Sequence, residues 1–238
     1  MQLLGIHPVL EALRAKRPVE RVLIAKGAAG SRLQEIIDLC REQGVPSRFE
    51  PRQVLDRMAA GAVHQGVIAL AAAHRYASFD QVIERAKMVV LLDGVEDPHN
   101  LGAVIRTAHA AGVDALVIPE RRAVGITEAV GRAAAGALEY MTIARTGNIN
   151  RAIETLKSRG FWIYGLDERG EHAYDAVEFT SPAALILGGE GKGLHRQVKE
   201  HCDFLVRIPM VGRISSLNVS VAAGVVLFEW RRRLAAKG

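Results

Sequence analysis

The chain has 238 residues, 49% of them hydrophobic and 24% charged, enough apolar side chains to give each of two domains its own core. Its net charge of +5 favours an anionic partner without fixing that partner's chemistry. No apolar run reaches the ~18 residues of a membrane span, no early segment reads as a cleaved leader, and Cys40 and Cys202 are flanked by neither CxxC spacing nor a histidine ligand pattern; the expectation is a cytoplasmic protein with reduced thiols, no metal and no membrane partner.

In chain order, Val9, Leu10 and Leu13 mark a short helix, and the alternation from Val19 to Ala25 a strand. Leu33, Ile36, Ile37 and Cys40 form the stripe of a second helix that stops before Gly44; Pro51 to Met58 reads as another short helix and Gly66 to Ala72 as a closing strand. Residues 1–73 therefore form a small α/β domain. The charged stretch Ala73-His74-Arg75-Tyr76-Ala77-Ser78 has neither period, which places a linker at 74–80 and a second domain at 81–238.

A helix from Phe79 to Lys87 leads into Met88-Val89-Val90-Leu91-Leu92, a continuous apolar run suited to a parallel sheet covered on both faces. Helix Leu101 to Ala111, strand Ala115 to Ile118, helices Thr127 to Ala135 and Ile149 to Ser158, and strands Phe161 to Leu166, Ala183 to Leu187 and Phe204 to Ile208 continue the alternation. A final helix runs from about Asn218 to Arg233. The pattern is that of a wound α/β domain.

Polar loops follow three of these strands, where open parallel sheets gather their functional residues. Gly188-Gly189-Glu190-Gly191-Lys192-Gly193 fits neither GxxxxGK[ST] nor a properly placed GxGxxG, and its carboxylate would repel a polyphosphate. Two readings stay open for it: a turn needing positive φ angles, or backbone that holds a neutral adenine or ribose. Asn100 either caps the helix after Pro98 or serves the site, and Ser216 and Asn218 either cap the last helix or do the same. Glu190 has no packing or turn role to explain it. Asp93 and Asp97 lack a third metal ligand at suitable spacing, and His7 and His64 read as packing or RNA-facing residues. Basic clusters stand at His74-Arg75, at Arg121-Arg122, and at Arg231-Arg232-Arg233 with Lys237.

Asn100 with Gly102 and Arg106, the GxExxG form at Gly188, Glu190 and Gly193, and Ile208-Pro209-Met210 with Ser216-Leu217-Asn218-Val219-Ser220 resemble the three motifs of the SpoU branch of SPOUT RNA ribose 2′-O-methyltransferases. Leu4-Gly5-Ile6-His7-Pro8-Val9 and His64-Gln65-Gly66-Val67 resemble the small substrate-binding domain, akin to ribosomal protein L30e, of bacterial 23S rRNA guanosine-2′-O-methyltransferases. The resemblance implies a C-terminal parallel-sheet domain with a deep trefoil knot, S-adenosylmethionine as methyl donor, and a homodimer acting on 23S rRNA. It implies donor binding by Leu187, Gly188, Gly189, Ile208, Met210, Ser216 and Leu217, and a catalytic set of Arg106, Asn100, Glu190, Ser216 and Asn218. A guanidinium stays protonated, so Arg106 is expected to grip an RNA phosphate and stabilise a developing alkoxide. Competing readings are a tRNA 2′-O-methyltransferase, a ribosome-binding or assembly module without turnover, and a nucleotide-dependent oxidoreductase, which lacks its fingerprint after the first strand. Val221, Val225 and Phe228 on the last helix suit either the core or a dimer contact.

Overall fold

The computed structural model describes residues 1–121, 123–213 and 215–235; Arg122 and Lys237 of the expected basic clusters lie outside them. The elements in chain order are β1 (Gln2–Leu4), α1 (Ile6–Arg14), β2 (Val19–Ala25), α2 (Ser31–Glu42), β3 (Ser47–Glu50), α3 (Arg52–Ala59) and β4 (Val67–Ala71). There follow α4 (Phe79–Ile83), β5 (Met88–Asp93), α5 (Pro98–Ala110), β6 (Ala115–Pro119), α6 (Glu128–Ala133), a 3₁₀ turn at Ala137–Glu139, β7 (Thr142–Thr146) and α7 (Ile149–Ser158). The chain closes with β8 (Trp162–Leu166), β9 (His172–Ala173), β10 (Ala183–Gly188), α8 (Arg196–His201), β11 (Phe204–Arg207) and α9 (Val219–Ala235).

Two compact units result: residues 1–75 with 126–140, and residues 76–125 with 141–238. In the first, the sheet order is β1-β4-β2-β3, with only the β2–β3 pair parallel. The two-residue period sorts its core. Val22, Ile24, Val67 and Ala69 face the stripes of α1 and α2, including Leu13 and Ile36. Leu23, Ala25 and Ile68 face Leu55 and Ala59 of α3. Segment 126–140 is held in this unit by polar contacts. The Gln2 amide donates to Glu128 Oε1 at 2.8 Å and the Tyr140 hydroxyl to Glu11 Oε2 at 2.6 Å. Arg17 Nη1 meets Glu139 Oε1 at 2.6 Å with both side chains under a tenth exposed. Sequence pattern assigns this segment to the second domain; its partners lie more than a hundred residues away, beyond any local period.

The second unit holds a seven-stranded parallel sheet of order β7-β6-β5-β10-β8-β11-β9. All of β5 is buried, as is Ala183–Leu187 of β10, matching their continuous apolar runs. From β5 the chain winds outward through β6 and β7, then crosses to β8 and returns with β10 beside β5. That reversal opens a crevice at the strand ends, the usual ligand position in wound sheets. Helix α9 packs on α5, with Gly224 of α9 facing Thr107. It buries Val219, Ala223, Val226, Leu227 and Trp230, while Val221 and Phe228 stay half exposed, so these two are not core.

Three sequence expectations are corrected. Helix α4 ends at Ile83 instead of Lys87, because the amides of Lys87 and Met88 both donate to Asp114 Oδ2 at 2.8 Å and leave the helical pattern. Strands β1, β3, β7 and β9 were not anticipated; β3 sits at a sheet edge with three of its four residues exposed, so it carries no apolar alternation. Helix α8 also escaped notice, being six residues with one buried side chain. Among the described residues no helix is long and apolar enough to cross a membrane.

Candidate active site

The loops after β5, β10 and β11 converge in the second unit. Pro98 opens α5, and Asp97, not Asn100, caps it, accepting from the His99 amide at 2.9 Å. Asn100 is thereby released. Its Nδ2 donates to Glu190 Oε1, and its Oδ1 accepts from Asn218 Nδ2 at 2.9 Å. Asn218 also takes the amide and hydroxyl of Ser220 on its Oδ1, at 2.9 and 2.6 Å, so capping α9 and joining the site are one role. A single amide side chain thus ties together three loops that lie up to 118 residues apart.

The glycine loop is shaped by close approach as much as by dihedral freedom. A Cβ on Gly188 would collide with the Gly193 backbone, and one on Gly189 with the Gly94 carbonyl. Gly191 and Gly193 adopt φ of +75° and +61°. The reading of a turn needing positive φ therefore holds at Gly191 and Gly193.

Beside this junction lies a cavity of about 610 Å³ lined by Leu187 to Gly193, Ile208, Met210 and Ser215 to Val219. All seven expected donor-binding residues line it. Glu190, Ser216 and Asn218 of the expected catalytic set do so too, and Asn100 reaches it through Glu190 and Asn218. Arg106 does not: it is exposed on α5 and lines no cavity described here. Ile214, inside the third motif, lies outside the described residues.

Several lining residues were missed. Asp167, 4% exposed, pairs with Lys199 at 2.6 Å and accepts the Arg169 amide at 3.0 Å. Its place directly after β8 was the available signal, since functional loops gather at strand ends. Asp93 is buried and accepts from both the His195 amide, at 2.8 Å, and His195 Nδ1, at 2.9 Å. Asp93 and Asp97 are thus each committed to hydrogen bonds. Among the described residues no group of three or more His, Cys, Asp or Glu is placed to hold a metal ion. In the first unit, buried His64 bonds Asp56 at 2.8 Å and the Gly66 amide at 3.1 Å, and His7 meets Arg32 at 2.8 Å. Burial pushes the Cys40 thiol up to about 11 and the Cys202 thiol up to about 12, so neither is a nucleophile near neutrality.

A parallel α/β unit with a polar junction and a cavity beyond its strand ends has the build of a ligand-binding wound sheet. Comparison with known proteins narrows it. Residues 87–228 match the SpoU rRNA Methylase family, and residues 2–77 match the domain described as RNA 2′-O ribose methyltransferase substrate binding. The chain is 41% identical over 236 residues to a putative TrmH family tRNA/rRNA methyltransferase, YacO, of Bacillus subtilis, covering 97% of this chain and 94% of that one. A putative TrmH family tRNA/rRNA methyltransferase of Staphylococcus aureus is 40% identical, with coverage of 97% and 95%. An AdoMet-bound rRNA methyltransferase from Sinorhizobium meliloti superposes with a TM-score of 0.83 at 25% identity, covering 98% of this chain and 87% of that one. The SpoU methyltransferase AviRb of Streptomyces viridochromogenes, solved with AdoMet, has a TM-score of 0.84 at 24% identity, over 99% and 91%, and shows the shared fold. The chain belongs to the SpoU rRNA methylase family.

Proposed function

We propose that the chain transfers a methyl group from S-adenosylmethionine to the ribose 2′-hydroxyl of a guanosine in the P-loop of 23S rRNA, in the cytoplasm. The observation that carries this reading is the Glu190–Asn100–Asn218 junction on the wall of a cavity. S-adenosylmethionine supplies a methyl group already activated on a sulfonium. The residues present fit that molecule. Leu187, Ile208, Met210 and Leu217 offer apolar faces for adenine, beside the side-chain-free backbone of Gly188 and Gly189. The lining carries both signs, Glu168 and Glu190 with Arg169 and Lys192, which suits a donor that bears a sulfonium and a carboxylate.

Asn100, Glu190, Ser216 and Asn218 orient the ribose so that its oxygen lies in line with the methyl group, the step in which alignment supplies most of the advantage. Arg106 stands outside the cavity of its own chain, and in this reading it grips an RNA phosphate and stabilises the alkoxide in the cavity of a second copy. The half-exposed Val221 and Phe228 of α9 supply the apolar face of that homodimer. The trefoil knot belongs to the same reading; β11, the loop 208–218 and α9 are the segments that would thread it. The substrate-binding match over 2–77 supports an RNA target.

Ribose-methylation mapping of 23S rRNA and tRNA from cells with and without the protein tests the proposal. Loss of one 23S guanosine methyl is expected; an unchanged 23S map with a lost tRNA methyl would transfer the activity to tRNA, and no change in either would refute it. Arg106→Lys should keep RNA affinity and lose most turnover, while the wild-type chain should sediment as a dimer.

A further inference from the structure

A second cavity, of about 510 Å³, opens beside the first in the same unit, within the ~300–1,000 Å³ range of ligand sites. The segment from Gly188 to Lys199 lines both in turn, with Gly188 to Gly193 and Lys199 on the first and His195 to Val198 on the second. Gly94 and Asp93, at the end of β5, complete the shared region. None of the residues lining the second cavity lines the donor cavity or joins the polar junction.

The polar groups facing the second cavity are Asp93, Arg121, Asn148, Asn150, His195, Arg196 and Gln197, and Arg196 Nε donates to Glu200 Oε1 at 2.8 Å. Asp93 offers the cavity little charge, because it is nearly buried and both its oxygens are engaged by His195. A carboxylate only accepts, so the 2.9 Å bond from His195 Nδ1 places the ring proton on Nδ1. In the neutral ring Nε2 is then the lone-pair acceptor, on a side chain that is 52% exposed and held in a fixed orientation by its buried partner. Asn150 Nδ2 donates to Gln197 Oε1 at 3.1 Å, which occupies the Gln197 acceptor and leaves its Nε2 as a donor without a partner among the described residues. Pro119 and Ile149 supply apolar wall.

An oriented acceptor, an oriented amide donor, apolar wall and two guanidiniums, of which that of Arg196 is paired with Glu200, differ from a phosphate cradle, which would concentrate free cations and bare amides. They match an unstacked nucleobase, whose edge offers a donor beside an acceptor and whose faces are apolar. We propose that this cavity receives a single nucleobase of the RNA, at or next to the methylated ribose, with His195 and Gln197 reading its edge and Asp93 positioning His195. The inference rests on the RNA-methylation reading and adds the subsite that holds the substrate while the neighbouring cavity holds the donor.

The test uses the full chain, with and without saturating S-adenosylhomocysteine, titrated with the four ribonucleoside 5′-monophosphates and a mixed-sequence single-stranded tetraribonucleotide. The His195 ring resonances are followed by NMR. At least one nucleotide should shift them, and His195→Ala and Gln197→Ala should each weaken its binding about tenfold, the loss of one edge contact. Donor affinity should stay within about twofold of wild type, and in methylation assays the variants should raise KM for RNA while sparing kcat. His195→Gln retains the backbone bond to Asp93 and a polar tip, and its melting curve separates lost binding from lost fold. Nucleotides that leave the His195 ring unperturbed, or that bind both alanine variants as tightly as wild type, overturn the proposal. A wild-type chain that binds nucleotide at His195 but not the donor sinks the methyltransferase reading and leaves the nucleobase site standing.

Discussion

Asn100→Asp is the sharpest probe of the junction, because it changes no volume and only replaces the amide donor facing Glu190 with a second carboxylate oxygen. At a hydrogen-bond separation of about 3 Å, two like charges in water-like surroundings repel by about 1.4 kcal/mol, and more where the cavity wall lowers the dielectric. The lost bond to a charged acceptor adds about 1.5 kcal/mol, the lower end of its range because Glu190 is solvent-accessible. Together these give about 3 kcal/mol, or a fall in Tm of ~6–12 °C for a unit of this size. Both tryptophans, Trp162 and Trp230, lie in the second unit, so their fluorescence follows its unfolding alone. The penalty exists only while both carboxyls are ionised: it should be full at pH 8 and fade as pH falls through the carboxylate range, since a carboxyl whose folded-state pKa is raised stabilises the fold when protonated. A deficit equal at pH 8 and pH 4, or none at pH 8, would refute the proposed contact.

Gly189→Ala should lower stability by ~1–3 kcal/mol and weaken donor binding, because its Cβ meets the Gly94 carbonyl and not a side chain that can turn away; a normal denaturation midpoint would contradict this packing. Cys40 and Cys202, with thiols raised to about 11 and about 12 by burial, should resist iodoacetamide at pH 8 in the native protein and react fully in denaturant, and fast native labelling of either would count against it. Burial and the nearby Arg17 lower the His74 pKa to about 4. Its folded value lies below its unfolded one, so stability is full above pH ~6.5 and declines as pH falls towards 4, by on the order of 1–2 kcal/mol after screening. His74→Asn should flatten that part of the stability–pH curve, and an unaltered slope would show that another group titrates there.

The sequence by itself determined the second unit's central strands, because residues buried on both faces of a sheet must be apolar without interruption, as Met88–Leu92 and Ala183–Leu187 are. It also identified the three polar loops, since each follows a strand and Glu190 has no packing or turn role there. What it left undecided was partnership. Asn100 reads equally well as a helix cap until Asp97 is seen in that role, and neither Arg17–Glu139 nor Asp93–His195 leaves a trace in any period, because each pair is more than a hundred residues apart along the chain. Edge strands such as β3 were invisible for a related reason: with little of their surface buried, nothing constrains their side chains to alternate. Local pattern records which face of an element is buried, whereas only the fold decides what meets it there.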